Sequence, residues 1–336
     1  MAEKTRLGRL IKVAAILVIT LVAAWCVYYP MHELKLKDSP LQFSISAGSS
    51  LRGAAQQMVE AGVLDSALAF ELLTRVLGNP KNIKAGNYEV ERGVTPINLI
   101  EKITRGNTTT LAITFVEGWT FRQIRKTLDE HPSLSHDTRG LSDVDVLRRL
   151  SIDLPAAEGL FFPDTFHFSE GVSDVSILKR AYNLMQKHLA THWAQRSPGL
   201  PLSTPYEALI LASIVEKETG RAVDRPLISA VFVNRLKIGM RLQTDPTVIY
   251  GMGERFDGNL RKQDLLTDTP YNTYTRAGMP PTPIAMPGLG SLHATLHPAP
   301  SNALYFVAKG DGSSHFSRSL EEHDRAVTKY QRTGKR

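Results

Sequence analysis

Two glutamates near the end of one apolar segment are the best candidates for acid–base chemistry in this sequence. The segment at 206–219 reads YEALILASIVEKET, follows a Ser-Thr-Pro helix start and ends at a glycine. It is apolar nearly all round, which predicts a helix buried in a core. At about 100° per residue, Glu218 lies about 20° from Leu211 and about 40° from Ile214, whereas Glu216 lies about 160° away from Glu218. Only Glu218 can share the buried face, and we expect Glu216 to be solvated beside a neighbouring basic side chain.

Burial gives Glu218 the properties of a general acid. A carboxyl group set among Leu211 and Ile214 would be desolvated, which raises its pKa toward the value that proton donation near neutral pH requires. The alternative is a structural carboxylate at a helix end that pairs with Arg221 or Arg225.

A buried acid can cleave a glycosidic bond in two ways. A hydrolase needs a second carboxylate about 5–9.5 Å away, as a nucleophile or as a base that activates water. Asp245, in RLQTDPTVIYG, is the best candidate, although Asp-Pro equally marks a turn. A lytic transglycosylase can use one residue twice. The acid protonates the leaving oxygen, and its carboxylate then takes the proton of the sugar's own C6 hydroxyl, which attacks the anomeric carbon and closes a 1,6-anhydro ring.

Other catalytic arrangements find less support in the spacing. His293 and His297 are four residues apart in SLHATLHP, but no glutamate follows His293 as the HExxH zinc-protease motif requires. We therefore predict no metal site, and no cofactor. No Gly-x-Ser-x-Gly sequence is present, which argues against a Ser-His-Asp hydrolase of that type. The single cysteine, Cys26, excludes an intrachain disulfide.

The charge balance does not require a nucleic-acid partner. The chain has 336 residues and a formal net charge of +7; four basic residues and one acid before residue 13 contribute +3, which leaves +4 for the rest. That mild excess fits an anionic polymer without demanding one. Because no helix-turn-helix or zinc-finger spacing occurs, we predict no binding to DNA or RNA.

Residues 13–31 predict a membrane anchor. The sequence VAAILVITLVAAWCVYYPM has no charged residue, and at about 1.5 Å per residue it is just long enough to span a hydrocarbon core. Basic residues precede it, so residues 1–12 are expected in the cytoplasm and the chain after residue 31 outside it. Trp25 and Tyr28 lie where an interfacial aromatic belt would be found. A cleaved signal peptide is the alternative.

The exported part is predicted to be α+β, in two parts. Residues 32–110 contain a linker and then a strand, two helices, a strand and a third helix, an element order that resembles a LysM-type glycan-binding module. Many small modules share that order, and a plain spacer is the alternative. Residues 111–330 are predicted to form a mixed α+β catalytic domain.

Five long motifs without gaps occupy much of the chain after residue 157. They are EGLFFPDTF at 158–166, ASIVEKETG at 212–220, VFVNRLKIGMRLQTDPTVIYGMG at 231–253, YNTYTRAGMPPTPIAMPG at 271–288 and LYFVAKGDGSSHFS at 304–317. Together with the predicted anchor, they resemble the endolytic murein transglycosylases of the MltG/YceG-like family. On the EKET motif, the family's catalytic glutamate falls on Glu218.

The resemblance implies a single-pass protein of the cell inner membrane whose C-terminal part lies in the periplasm. It implies cleavage of the MurNAc-GlcNAc β-1,4 bond inside nascent peptidoglycan strands, which leaves 1,6-anhydro-N-acetylmuramic acid ends and terminates strand elongation. The implied partners are the glycan strands and the peptidoglycan synthases at the membrane.

Polar and aromatic side chains in these motifs are candidate walls of a substrate cleft. Amide and hydroxyl groups hydrogen-bond sugar hydroxyl and N-acetyl groups, and tyrosine rings stack on sugar faces. Asn234 could instead orient Glu218 or lie as a helix-surface amide. The predicted substrate-binding residues are Asn234, Gln243, Thr244, Asp245, Tyr271, Asn272 and Tyr274.

An alternative from another class is a membrane-anchored, peptidoglycan-binding scaffold without activity. Glu218 on the buried face of its helix argues against this alternative, because such a position is unfavourable for an unpaired carboxylate that has no function.

Overall fold

The computed structural model describes residues 16–17, 20, 25, 28–37, 39–77, 83–106 and 111–332. Over these residues the protein is mixed α+β, as the sequence predicts. The chain divides into two compact units. The first comprises the residues up to 111 together with 167–170, and the second comprises 112–166 and the residues from 171 onward.

The predicted membrane anchor at 13–31 lies mostly outside the described residues. Within the described part of the chain, no helix is long and apolar enough to cross a membrane. The anchor therefore stays a prediction.

The first unit is built on a two-stranded antiparallel sheet. Strand β1 (Leu41–Ile45) pairs with β2 (Gly86–Val90), and the register runs from Leu41 opposite Val90 to Ile45 opposite Gly86. Alternate residues of each strand are buried, as expected for a sheet with one face on a core. Three helices cover that face: α1 (Leu51–Glu60), α2 (Ala67–Val76) and α3 (Pro96–Arg105).

Side-chain caps fix where these three helices begin. The hydroxyl groups of Ser50, Ser66 and Thr95 each accept a hydrogen bond from a backbone N–H in the first turn.

Tyr88 lies at the centre of the core between sheet and helices; it is fully buried and stacks on Phe43. Its hydroxyl group donates to the carbonyl oxygens of Lys84 and Ile103, so its polar end is satisfied inside the core.

The second unit is mainly helical, with three short two-stranded sheets. Strand β3 (Leu111–Thr114) pairs with β5 (Thr165–Phe168), β4 (Leu134–Ser135) pairs in parallel with β6 (Val172–Ser173), and β7 (Tyr305–Ala308) forms an antiparallel hairpin with β8 (Ser314–Ser317). The helices are α4 (Phe121–Glu130), α5 (Asp143–Arg149), α6 (Asp174–Ala194), α7 (Pro205–Glu218), α8 (Arg225–Lys237), α9 (Asp245–Met252), α10 (Lys262–Leu266), α11 (Leu289–Leu296) and α12 (Leu320–Val327). Gly253–Arg255 and Thr328–Arg332 form single turns of other helix types.

Helix α7 is the centre of the second unit. Every residue from Ala208 to Val215 is buried, and the helix packs against α6, α8, α9 and α11. The prediction of a helix that is apolar on all sides and enclosed by the core is confirmed. The helix begins at Pro205 after the cap Thr204 and ends at Glu218, so the last turn brings a carboxyl group out of the core.

A buried segment without regular structure, 282–288, lies against α7. Ser213 joins the two: its hydroxyl group donates to the carbonyl oxygen of Ile210 at 2.7 Å and accepts the N–H of Ile284 at 3.0 Å. Because a buried backbone N–H needs a partner, this contact holds the segment on the helix.

Replacing Ser213 by alanine should destabilise the second unit. The change leaves the buried Ile284 N–H without an acceptor, and we expect the free energy of unfolding to fall by about 1–3 kcal/mol. Chemical denaturation followed by tryptophan fluorescence measures this loss. Ser203→Ala, an exposed serine just before α7, is the matched control. Equal stability of the two variants would contradict the role assigned to Ser213.

Candidate active site

Glu218 is the last residue of α7. The residue is half-buried overall, while its carboxyl group is enclosed by protein. The carboxyl oxygen Oε2 accepts a hydrogen bond from Thr244 Oγ1 at 2.7 Å. Among the residues that the structure describes, no basic side chain approaches Glu218 within 4.0 Å. The alternative of an ion pair with Arg221 or Arg225 therefore does not fit this geometry.

Burial is the largest influence on the acidity of Glu218. Desolvation raises the pKa of the carboxyl group, and the neighbouring carboxylate of Asp245 raises it further. The hydrogen bond from Thr244 and the positive charge of Arg235 act in the opposite direction. A carboxyl group that stays protonated at higher pH than an exposed glutamate can donate a proton to a leaving oxygen.

The prediction for Glu216 was wrong in one respect. Glu216 points away from Glu218, but its side chain is only 6% exposed. It pairs with Arg225 at 3.4 Å and accepts the N–H of Gly288 at 3.0 Å, while Glu117 lies 3.7 Å from the same arginine. Helical angles give the direction of Glu216 correctly, but they cannot show that Arg225 and Gly288 cover that face. Glu216 is a structural carboxylate.

Thr244 supports Glu218 and is too buried to line a cleft. The residue is 2% exposed; its hydroxyl group faces Glu218, and its N–H donates to Thr273 Oγ1 at 3.1 Å. The preceding residue, Gln243, is exposed and has a φ of 48°, in the left-handed region that few non-glycine residues occupy. Its side chain stays available to a ligand, whereas Thr244 acts on the acid.

Asp245 and Tyr274 form a polar pair on the solvent side of Glu218. Asp245 is the exposed first residue of α9, and its Oδ1 accepts a hydrogen bond from the Tyr274 hydroxyl group at 2.6 Å. Burial, and then the hydrogen bond to Asp245, raise the pKa of Tyr274 above its ordinary value, so the phenol stays a donor. The structure thus brings the second candidate carboxylate close to Glu218.

Tyr271 lies on the same loop but faces another neighbour. Its hydroxyl group shares a hydrogen bond with Thr282 Oγ1 at 2.9 Å, and its half-buried ring meets the edge of Tyr250 at 4.9 Å between centroids. The ring therefore packs against α9 on one side. Its remaining exposed surface is compatible with a sugar contact.

The two asparagines predicted as substrate contacts donate their amide hydrogens to backbone carbonyl groups. Asn272 is fully buried; Nδ2 donates to the carbonyl oxygens of Asp264, Leu265 and Thr267, and Oδ1 accepts the N–H of Tyr274. Asn234 donates to the carbonyl oxygens of Ser301 and Ala303 at 2.8 and 3.0 Å. Asn272 holds the segment just before it in the chain, whereas Asn234 holds a segment 67 to 69 residues further on, and the sequence pattern reveals neither contact.

Arg235 is a residue of the site that sequence reasoning missed. It is buried on α8, and its charge acts on Glu218. A signal was present, because Arg235 follows Ile228 by seven positions and Val231 by four, and this spacing places it on the apolar face of its helix.

Glu158 is a second buried carboxyl group that was not predicted. It is 6% exposed, accepts the N–H of Phe121 at 3.0 Å through Oε1 and the Tyr250 hydroxyl group at 3.1 Å through Oε2. Burial raises the pKa of Glu158 from 4.5 to about 7, although both hydrogen bonds act in the opposite direction. Glu158 thereby joins the start of α4 to α9, the helix that carries Asp245.

One cluster in the described residues has ligand atoms close enough to hold a metal ion: Asp129, His136 and Asp174. Asp174 already accepts three hydrogen bonds, from the N–H groups of Asp137 and Thr138 and from the Thr138 hydroxyl group. These hydrogen bonds connect the residues that follow β4 to the first turn of α6. The rings of His293 and His297 are tilted against each other with their centroids 4.6 Å apart, but these residues do not belong to such a cluster among the described residues.

Comparisons with known proteins identify relatives of this chain. Residues 43–329 match the model of the YceG-like family. The chain is 32% identical over 314 residues to an endolytic murein transglycosylase of Bacillus subtilis, a match that covers 88% of this chain and 86% of that protein. A Streptococcus pneumoniae protein of the same name is 28% identical over 320 residues, which cover 85% of this chain and 57% of that protein. A crystal structure of a putative yceG-like protein from Listeria monocytogenes matches with a TM-score of 0.54 at 30% identity. The match covers 85% of this chain and 98% of the Listeria chain.

Glu158 should make stability fall as pH rises. The folded protein holds the proton of this carboxyl group up to pH about 7, whereas the unfolded chain releases it near pH 4.5, so the folded state binds more protons in between. Raising the pH through this window should remove roughly 3 kcal/mol of stability. Glu158→Gln stays neutral and should escape this loss.

The check is the unfolding temperature of both proteins at pH 5, 6, 7 and 8. We expect the advantage of Glu158→Gln over wild type to grow with pH. Glu130→Gln, at an exposed glutamate, is the matched control. A difference between Glu158→Gln and wild type that stays constant over this range would contradict the assignment.

Proposed function

Because this chain belongs to the YceG-like family, we propose that it is an endolytic murein transglycosylase in which Glu218 serves first as acid and then as base. The resemblance drawn from the motifs is confirmed by the family match and by the names of the curated relatives. These relatives are named as enzymes, so the alternative of an inactive scaffold is not favoured. The observation that carries the proposal is the enclosed carboxyl group of Glu218 at the end of its helix, which a hydroxyl group contacts and no basic side chain approaches in an ion pair among the described residues.

The first step is protonation of the leaving oxygen. A protonated Glu218 donates its proton to the glycosidic oxygen as the bond to the anomeric carbon of MurNAc breaks. The departing GlcNAc hydroxyl takes the proton, and positive charge develops on the MurNAc ring. Asp245, exposed beside Glu218 and held by the Tyr274 hydroxyl group, is placed to stabilise that charge electrostatically.

The second step uses the same residue as a base. The Glu218 carboxylate is stabilised by the hydrogen bond from Thr244 and by the charge of Arg235. It removes the proton of the MurNAc C6 hydroxyl, whose oxygen attacks the anomeric carbon and closes the 1,6-anhydro ring. Glu218 is protonated again at the end of the cycle, and no water is consumed.

The remaining assignments concern the place of the enzyme in the cell. We propose a single-pass anchor at 13–31 in the inner membrane, with the two units in the periplasm, on the basis of its uncharged length and the basic residues before it. The first unit, with its two-stranded sheet and three helices, is proposed as a LysM-like glycan-binding module. The partners proposed with them, on the family resemblance alone, are nascent glycan strands and peptidoglycan synthases.

Glu218→Gln tests the proposed chemistry. Purified full chain is incubated with uncrosslinked glycan strands, and the products are identified by mass spectrometry. Wild type should give ends lighter by one water than reducing ends, and Glu218→Gln should be slower by about 10²–10⁴-fold, because the amide can neither donate nor accept the proton. Glu321→Gln, at an exposed glutamate of α12, is the control.

Asp245→Asn separates the two modes of glycan cleavage. A transglycosylase should keep its anhydro products in this variant and lose rate only through the electrostatic contribution, by about tenfold or more. Reducing ends from wild type, abolished in Asp245→Asn, would show a hydrolase with Asp245 as its second carboxylate and would overturn the proposal.

A further inference from the structure

Arg235 is a buried cation without an ion-pair partner. Its residue is 7% exposed, and within the described part of the chain no carboxylate oxygen lies within 4.0 Å of its guanidinium group. The group donates instead to three backbone carbonyl oxygens, from Nε to Leu304 at 2.7 Å and from Nη1 to Leu242 at 2.6 Å and, more weakly, to Arg241 at 3.5 Å. Its Cζ atom lies 5.3 Å from the centre of the Tyr305 ring. Burying an unneutralised charge is unfavourable, so its retention here calls for a function.

One of these hydrogen bonds holds the turn that carries Thr244. Arg235 fixes the Leu242 carbonyl group at the start of the turn, and Thr273 fixes its other end by accepting the N–H groups of Gln243 and Thr244. Between the two anchors, Gln243 adopts its left-handed conformation, which a non-glycine residue keeps only where its surroundings impose it. The result is a Thr244 hydroxyl group aimed at Glu218, 2.7 Å from Oε2.

The charge of Arg235 acts on the same carboxyl group. Arg235 favours the charged form of Glu218, whereas desolvation and Asp245 favour the neutral form. The other titratable groups that face Arg235 are Tyr274, Tyr305 on β7 and His323 on α12. Glu218 is thus the carboxyl group that this buried cation can stabilise once it has lost its proton.

We propose that Arg235 is a positioning residue of the reaction: it holds the 242–244 turn so that Thr244 reaches Glu218, and it supplies the counter-charge for Glu218 after proton donation. It acts through Thr244 and Glu218 and not on the sugar. This inference rests on the proposed function, since it assigns a role in the acid and base steps of Glu218.

Three variants separate the two contributions. Arg235→Gln removes the charge, Arg235→Lys keeps the charge but loses the two-pronged hydrogen bonding, and Thr244→Val removes the hydroxyl group at nearly constant shape. The measurement is kcat and KM on uncrosslinked glycan strands from pH 4 to 9, with the unfolding temperature of each protein. His323→Gln is included because a histidine in this range could otherwise produce the same change in activity.

Activity falls at high pH as Glu218 loses its proton, so the position of this alkaline limb reports the acidity of Glu218. Arg235→Gln should lower kcat more than it raises KM and move the limb to higher pH by about one unit, because the carboxylate loses its counter-charge. Thr244→Val should move the limb in the same direction. Arg235→Lys should lower kcat and move the limb less than Arg235→Gln does, because it keeps the counter-charge and weakens only the hold on the turn, and His323→Gln should not move it.

An unmoved limb in a folded Arg235→Gln protein would overturn the inference, because a purely structural arginine lowers activity without changing the acidity of Glu218. If Arg235→Gln does not fold, the test rests on the other two variants. A limb that moves further in Arg235→Lys than in Thr244→Val, or that moves in neither, would overturn it. Failure of the proposed function is read separately, from reducing ends in the products of the wild-type enzyme.

Discussion

The arrangement of the second unit follows from one requirement. The carboxyl group of Glu218 must be kept from water and must still reach a polymer outside the protein. Helix α7 meets both conditions, because residues 208–215 are buried and the helix ends at the half-buried Glu218. Desolvation then favours the protonated acid, and the Thr244 hydroxyl group together with the Arg235 charge limits how far it does so. A residue that must both give up and recover a proton needs these opposing influences to be nearly balanced.

The two glutamates in the last turn of α7 have different roles: Glu216 contributes to stability and Glu218 to the proposed chemistry. Glu216 pairs with Arg225 and accepts the N–H of Gly288, so its charge is neutralised and contributes to packing. Glu218 has a hydroxyl group as its hydrogen-bond partner and remains free to exchange a proton. The Lys217 between them donates to the Gly118 carbonyl oxygen and holds the helix end from a third direction. The last turn of α7 is therefore held by contacts from both Glu216 and Lys217.

Much of this arrangement could be predicted from local patterns, and the remainder depends on distant segments. The apolar run of α7 and the helical angle of Glu218 indicate both the buried helix and the residue that shares its face, because each depends only on residues of the same helix. The burial of Glu216 and the roles of Asn234 and Asn272 depend on contacts with residues 5 to 72 positions away, which the helix and strand patterns do not reveal. The burial of Arg235 could have been predicted, because its helical spacing places a cation on an apolar face.

The buried segment at 282–288 forms one side of this region without any helix or strand of its own. Three of its N–H groups donate hydrogen bonds to the rest of the protein. Ile284 donates to the Ser213 hydroxyl group, Met286 to the Trp119 carbonyl oxygen and Gly288 to the Glu216 carboxylate. A loop restrained in this way has already lost its conformational entropy during folding. A glycan strand that binds beside it need not supply that ordering again, so more of the contact energy is available to distort and orient the sugar.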